Sequence, residues 1–404
     1  MDSFFKNEYK LSRNPFPPAA SGVIDSEKEV YVPSQWKEKV ENFYTILSKG
    51  RGPKAFPIMG EYGSGKTYLL KGYLKNLFEK KNIKTFYFEN PGVKFYDLAN
   101  TLLRTLGRYE FSKALWEICK EHLSEEKSLS LFPMSFAVML SSLRTSEDRK
   151  RNAQKLAYVI RKKLELTDDE EIAYKLGLMV VETSFKPYFS YRDFVAGREK
   201  AVVAEKKESK YFKAIIKAII DIYGVDGVVF LIDEFEEIAF PKRMTRKQTY
   251  EYLATLRSLI DISEEENLWI VIAMTPEAAD ETKKMNPALW ERFTGKQEKT
   301  ALRLNPLSIK EAQDLLKWWL NNARDENNLA DYQNTIFPFP DNIGDILNRP
   351  GIRLPRALVR IGFFVLARAE AQKLRAPFSL EFVESIINEL YPPESDNEEE
   401  NVCE

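Results

Sequence analysis

The chain has 404 residues, with 60 Lys and Arg against 61 Asp and Glu and a formal net charge of −1, so it carries no global field for nucleic acid or an anionic membrane, and any such contact has to be local. One histidine, His122, and two cysteines, Cys119 and Cys403, exclude a His/Cys metal cluster, a Ser-His-Asp triad and a disulfide framework. No apolar run approaches the roughly 18 residues that cross a bilayer, and the N-terminal MDSFFKNEYK lacks a signal-peptide core; the expectation is a soluble cytoplasmic protein with no membrane partner.

In chain order, residues 1–50 read as a lead-in packing on the core that begins at residue 51. NPFPPAASG (14–22) is extended, and QWKEKVENFYTIL places Trp36, Val40, Phe43 and Leu47 at helical spacing before Gly50. A strand, KAFPIMG, leads into the glycine-rich GEYGSGKT and the helical YLLKGYLKNLFEKK, and IKTFYFEN (83–90) is the next strand. From about Tyr96 to Tyr223 only helical patterns occur. Then come the apolar strand VVFLI, the helix RKQTYEYLATLRSLIDI, the strand LWIVIAM and a short strand in TALRL. Beyond Pro306 the chain reads as helical, and the acidic ESDNEEENVCE predicts a disordered tail over 392–404. Strands alternating with helices predict an α/β fold with a parallel sheet covered on both faces. The expected boundaries are a nucleotide-binding core over 51–304 with a helical insertion at about 96–223, and an all-helical domain over 305–391.

GEYGSGKT matches G-x-x-x-x-G-K-[ST] through Gly60, Gly65, Lys66 and Thr67. A phosphate cradle needs backbone N–H groups turned inward, which glycine permits, and the helix after the loop offers its N-terminal amides to the anion. The expected nucleotide contacts are Gly60, Glu61, Tyr62, Gly63, Ser64, Gly65, Lys66, Thr67 and Tyr68. Lys66 is expected to reach the β- and γ-phosphates of ATP, and the Thr67 hydroxyl to bind Mg²⁺.

VVFLIDEFEE sets Asp233 and Glu234 at the end of a buried strand, where ionised carboxylates are costly unless something compensates them. In P-loop enzymes an Asp at such a strand end helps hold Mg²⁺, the role expected of Asp233. The adjacent Glu234 is the candidate base toward the attacking water. Glu236 and Glu237 read as acidic first-turn residues of the next helix.

With both motifs placed, the chain resembles the AAA+ ATPases, more narrowly the branch of origin-recognition initiators and transposition-associated ATPases, over roughly residues 14–390. The resemblance implies a P-loop core with a helical lid. IVIAMTPE resembles the sensor 1 strand, which implies that Thr275 contacts the γ-phosphate or the water. NPALWERFTG falls where such proteins carry an arginine finger, and Arg292 is the match. LRLNPLSIKEAQDLL resembles the start of the lid. GIRLPRALVRI resembles sensor 2, with Arg356 at the start of a helix whose first position is Pro355, and Arg353 and Arg360 as alternatives. Trp318 and Trp319 are expected in the lid core. The stretch between Thr67 and Asp233 exceeds what such a domain needs, hence the large insertion. Little chain remains after PRALVRIGFFVLARAEAQ, so the winged-helix DNA reader of many initiators, and with it sequence-specific origin binding, is not expected.

The expected function is an ATP-hydrolysing switch or motor that forms a homo-oligomer and acts on duplex DNA with little sequence preference. Two basic stretches suit that role, RKRNAQKLAYVIRKKLEL within 149–166 and PKRMTRKQ (241–248), although charge runs are often only solvated faces. The alternative is a signalling or scaffold NTPase whose nucleotide state gates protein partners without nucleic acid.

Overall fold

The structure is a computed structural model that describes residues 4–18, 31–49, 54–89, 95–125, 135–186, 188, 201–238, 245–295, 301–324 and 331–393. The acidic tail from residue 394, residues 242–244 of the basic stretch and Gly50 lie outside them. Among the described residues no helix is long and apolar enough to cross a membrane.

A single parallel sheet organises the chain. Its strands are β1 (Ala55–Gly60), β2 (Ile83–Phe88), β3 (Gly227–Ile232), β4 (Leu268–Met274) and β5 (Leu302–Leu304), in the spatial order β2-β3-β4-β1-β5. The pairings β1–β4, β2–β3 and β3–β4 are parallel, with Phe88 opposite Ile232 and Met59 opposite Met274. Every residue of β1, β3 and β4 is buried. That is why these strands read as unbroken apolar runs: helices cover both faces, and no position is left to solvent. Each fully buried Ile or Val in β4 contributes roughly 1.5–3 kcal/mol against exposure.

The chain divides into two compact units, one of Met1–Lys39, Gly60–Tyr73 and Arg303–Glu404, the other of Val40–Met59 and Leu74–Leu302. The division cuts across the boundaries expected from sequence, because the phosphate loop clusters with the C-terminal helices.

In the second unit the expected insertion is helical throughout its described length. It comprises α3 (Phe95–Leu106), α4 (Arg108–Glu125), α5 (Phe136–Ser142), α6 (Ser146–Lys162), α7 (Glu170–Val181) and α8 (Ala201–Tyr223), coming after α1 (Ser34–Lys49) and the helical stretch α2 (Lys66–Tyr68, π-wound Leu69–Leu74, then Lys75–Lys80). Thr145 opens α6 with a reciprocal cap to Asp148. The insertion is no separate bead. Leu98, Leu102, Trp116, Phe212, Ile215 and Ile219 share one core with Phe86, Phe88 and Phe230 of the sheet, and the Phe212 and Phe230 rings meet edge to face at 6.0 Å. The unit is completed by α9 (Arg246–Glu265), α10 (Pro276–Met285) and α11 (Pro287–Thr294).

The first unit holds α12 (Ile309–Asn321), α13 (Pro355–Ala371) and α14 (Leu380–Leu390). Between α12 and α13 the helical expectation fails. Apart from a helical end at 331–332, the described residues there form turns and the short 3₁₀ segments Ile343–Ile346 and Pro350–Arg353, because Pro338, Pro340 and Pro350 lack the N–H a continuous helix needs. Trp319 packs on Phe16 with ring centroids 6.1 Å apart, and Trp318 and Trp319 are both half-buried. Of the lead-in, Phe43 and Tyr44 of α1 pack on Phe56 of β1 and Phe78 of α2, while residues 9–16 make their described contacts with the C-terminal helices. The Tyr9 hydroxyl donates to the Leu374 carbonyl at 3.0 Å, Ser12 donates through backbone N–H and hydroxyl to the Ala323 carbonyl, and the Phe16 ring lies against Gly362.

Candidate nucleotide site

In the first unit the phosphate loop begins at Gly60, the last residue of β1, and ends at Lys66, the first of α2. Gly63 and Gly65 have φ of +84° and +98°, values that L side chains rarely adopt. At Gly63 a second constraint applies: a Cβ there would stand 2.9 Å from the Arg356 Cβ. Lys66 is buried, and its ammonium donates to the Gly60 carbonyl at 2.8 Å and the Glu61 carbonyl at 3.4 Å, 5.4 Å from the centre of the Tyr62 ring. The Ser64 hydroxyl is buried with no hydrogen-bond partner among the described residues. Positive-φ glycines, a lysine folded over the loop and an orphan hydroxyl suit a phosphate chain.

Of the three candidate sensor 2 arginines, only Arg356 meets this loop. Its backbone N–H donates to the Gly63 carbonyl at 3.1 Å. Arg360 lies 5.9 Å from the ring centres of both Phe364 and Tyr391, and the Arg353 carbonyl accepts from the Leu307 N–H. Beside the loop is a small cavity lined by Tyr31, Val32, Pro33, Trp36, Tyr68 and Leu315, with Gly65 and Pro355 also on its wall. Burial pushes the Tyr68 phenol up to about 12, so it stays protonated. Apart from Tyr68 and Gly65, none of these wall residues is a site candidate from sequence. Their signal, an apolar run YVPSQW ahead of a helix, is the same as that of ordinary packing.

In the second unit β3 ends on a buried acid. The Asp233 side chain accepts from the Tyr87 hydroxyl at 2.9 Å through Oδ2 and from the Glu234 backbone N–H at 3.0 Å through Oδ1. These two donors offset the cost of burying the carboxylate. Tyr87, which the sequence alone does not single out, is brought there by the β2–β3 register, which pairs it with Leu231. Burial first, and then the Asp233 charge, raise its phenol well above the ordinary range, so it remains a donor. Glu234 is exposed and has φ of +53°, a strained conformation for a non-glycine residue of a kind that clusters at functional sites. The expectation for Glu236 and Glu237 is corrected. They stand in a 3₁₀ turn, Phe235–Ile238, rather than in the first turn of α9, and Glu236 is buried. The left-handed turn at Glu234 folds the chain tightly before the next helix can start.

Thr275, at the end of β4, is buried and caps α10, its hydroxyl accepting from the Ala278 N–H. Arg292, in the last turn of α11, is hydrogen-bonded to Asp261 of α9. If Asp233 holds Mg²⁺ for hydrolysis, Tyr87→Phe should lower turnover about tenfold and shift the Mg²⁺ dependence to higher concentration, because a hydrogen bond to a charged group is worth about 1.5–3 kcal/mol. ATP affinity measured without Mg²⁺ should be unchanged. A Mg²⁺ titration of ATPase activity checks this, and an unaltered curve would remove Tyr87 from the site.

Residues 148–318 match the model of the family described as BREX system ATP-binding protein BrxC/D. The span is less than half of the chain; it contains Asp233, Glu234, Thr275 and Arg292 and leaves out the phosphate loop. No curated protein matches the chain. Among solved structures, the chain is similar to the Aeropyrum pernix ORC2 protein, solved as ADPNP–ADP complexes, at 12% identity over 90% of this chain and 70% of that one, with a TM-score of 0.42.

Proposed function

We propose that this chain, a P-loop AAA+ ATPase in fold and resemblance, is a Mg²⁺-dependent ATP hydrolase that assembles into a homo-oligomer in the cytoplasm and acts on duplex DNA. The observation that carries the ATP reading is the first unit itself. A lysine-bearing loop with two left-handed glycines, an arginine backbone seated on it and an apolar cavity at its side occur in one compact body. The loop suits the phosphates and Arg356 their charge. Similarity over 148–318 to a family described as ATP-binding supports the same reading.

Mg²⁺ would be held by the Thr67 hydroxyl and the Asp233 carboxylate, both hard oxygen donors of the kind the ion prefers, and when bound it would neutralise charge on the phosphates. Glu234 is assigned as the base that takes the proton of the attacking water, and Lys66 and Arg356 as the phosphate-side cations. Thr275 is assigned to orient the water or γ-phosphate, and Arg292 to act on the site of a neighbouring copy.

The DNA reading rests on α6. Arg149, Lys150, Arg151, Lys155, Arg161 and Lys162 lie on this one helix, whose apolar side is buried through Leu156, Val159 and Ile160. With a net charge of −1, affinity has to come from such local clusters. ATP-bound protein should bind duplex DNA with a log–log salt slope of about −4 to −5, the value for four to six neutralised phosphates at about −0.9 each. Replacing Arg149, Lys150 and Arg151 together by Ala should flatten that slope and leave basal ATPase intact. Anisotropy titrations between about 50 and 200 mM salt check it, on the scale where such contacts change affinity strongly. No binding to any DNA at about 50 mM salt would favour the scaffold alternative.

A further inference from the structure

One face of α9 is turned to solvent. Tyr250, Ala254, Arg257 and Asp261 recur at intervals of four, three and four, which places them in one line along the helix. All four are exposed, Tyr250 at 48%. The line ends on the Asp261 carboxylate, which holds Arg292 of α11, so Tyr250 and Arg257 belong to the surface from which Arg292 is offered. Arg257 stands one turn before Asp261, about 6 Å along the helix axis.

The ion pairs on this face leave one arginine over. Lys247 is tied to Glu251 at 4.0 Å and Asp261 to Arg292, and the Arg246 guanidinium lies 6.0 Å from the centre of the Tyr250 ring. Glu264 on α9 and Glu291 on α11 are exposed as well, yet Arg257 makes no hydrogen bond or ion pair among the described residues. Tyr and Arg are the residues that protein interfaces concentrate, and the small Ala254 between them lets a partner approach closely. An extended nucleic-acid backbone would meet carboxylates at both ends of the line, Glu251 at one and Asp261 and Glu264 at the other. A second copy of this chain brings its phosphates at one point, the nucleotide, and is the occupant this pattern fits.

We infer that this face docks on a second copy of the chain and that Arg257 is a second arginine, beside Arg292, reaching the phosphates of the ATP held there. The inference rests on the reading of Arg292 as acting on the site of a neighbouring copy and extends it to a residue one turn away. In the hydrolysis the water oxygen bonds to the γ-phosphorus, and the bond from that phosphorus to the β–γ bridging oxygen breaks. The water gives up a proton to the Glu234 of the copy that holds the ATP. The electron pair of the broken bond stays on ADP, so charge grows on the β-phosphate as well as on the γ-phosphoryl oxygens. A pair of cations matches that spread, and the planar fork of arginine suits phosphate oxygens. Tyr250 anchors the contact without touching the nucleotide.

The test is steady-state ATPase of the full chain measured against protein concentration. Arg257→Ala should lower the plateau reached at high concentration about ten- to a hundredfold, the range of one hydrogen bond to a charged group, and Arg257→Lys should recover part of it. ATP binding by the dilute Arg257→Ala chain should equal that of the parent, which shows the variant folded. Mixing Arg257→Ala with Lys66→Ala subunits should restore part of the activity, because the second brings the arginine that the first lacks. Tyr250→Ala should instead move the rise to higher concentration and keep the parent plateau. An Arg257→Ala plateau equal to the parent's, or an unshifted rise in Tyr250→Ala, overturns the inference. So does a lack of recovery with Arg257→Ala when the mixture of Arg292→Ala and Lys66→Ala does recover, and the reading of Arg292 then stands. No recovery in either mixture overturns both.

Discussion

Glu234→Gln protein should bind ATP as the parent does and hydrolyse it at least about a hundredfold more slowly, the lower scale of general-base catalysis. Glutamine keeps the shape and one acceptor oxygen of the side chain but cannot take the proton of the attacking water. The backbone sharpens this test. Glu234 has φ of +53°, while its own N–H is committed to Asp233 Oδ1 at 3.0 Å. Glycine adopts that conformation without strain, so Glu234→Gly should leave stability unchanged or raise it by up to about 1 kcal/mol and still abolish turnover. A side chain kept for packing would give the reverse pattern. Lys66→Ala separates binding from chemistry on the other side, since it removes the buried ammonium over the loop and should weaken ATP binding itself. Equilibrium binding and steady-state turnover on the three variants check the set, and wild-type turnover in Glu234→Gln would exclude Glu234 as the base.

Arg292→Ala should lose about 10³-fold in turnover with ATP affinity retained, because an arginine added to the transferring phosphoryl group contributes on that scale. If the arginine comes from a neighbouring copy, turnover per subunit should rise with protein concentration. Mixing Arg292→Ala with Lys66→Ala subunits should then restore part of the activity, each supplying what the other lacks. In the single chain Arg292 is linked to Asp261, whose side chain is 52% exposed. A pair that open to water is worth no more than about 1 kcal/mol, so it does not prevent Arg292 from being offered elsewhere. Asp261→Asn should accordingly change turnover by less than about fivefold. Flat specific activity across concentrations and no recovery on mixing would point to a site complete within one subunit.

How far the sequence discloses this molecule depends on whether a feature is local. The phosphate loop is legible because left-handed glycines and a lysine at fixed spacing are demanded by backbone geometry within a single short loop. The strands are legible because β1, β3 and β4 are buried on every residue and leave no polar position to blur them. Helices from Phe95 to Tyr223 emerge from periodicity in the same way. Tyr87 is invisible for the opposite reason. Nothing in IKTFYFEN announces that its strand lies beside β3, and only that register makes the phenol a partner of Asp233. Arg353, Arg356 and Arg360 sit in one basic stretch, and that the Arg356 backbone N–H meets Gly63 is seen only in three dimensions. The cavity wall from Tyr31 to Trp36 has no distinguishing pattern. The region after α12 reads as helical because each of its prolines, taken singly, is compatible with a helix end, and only together do they forbid one.

The seat of Phe16 on Gly362 has a consequence for how the first unit melts. A Cβ at Gly362 would come within 2.7 Å of the Phe16 ring, so the ring fills the hollow that the missing side chain leaves on α13. With Tyr9 on Leu374 just past α13 and Ser12 on Ala323 just past α12, residues 9–16 act as a clasp across the C-terminal helices, one of which begins beside the phosphate loop. Opening the clasp would uncover the middle of α13 around Gly362. Amide exchange along Val359–Leu366 should therefore rise as one block when Phe16 is trimmed to Ala, and the grip on ATP should loosen with temperature in step with it. Local unfolding of this kind is a cooperative event with its own free energy. An N-terminal strap that looks like packaging in the sequence would thus act as the fastener that sets the working temperature of the nucleotide pocket.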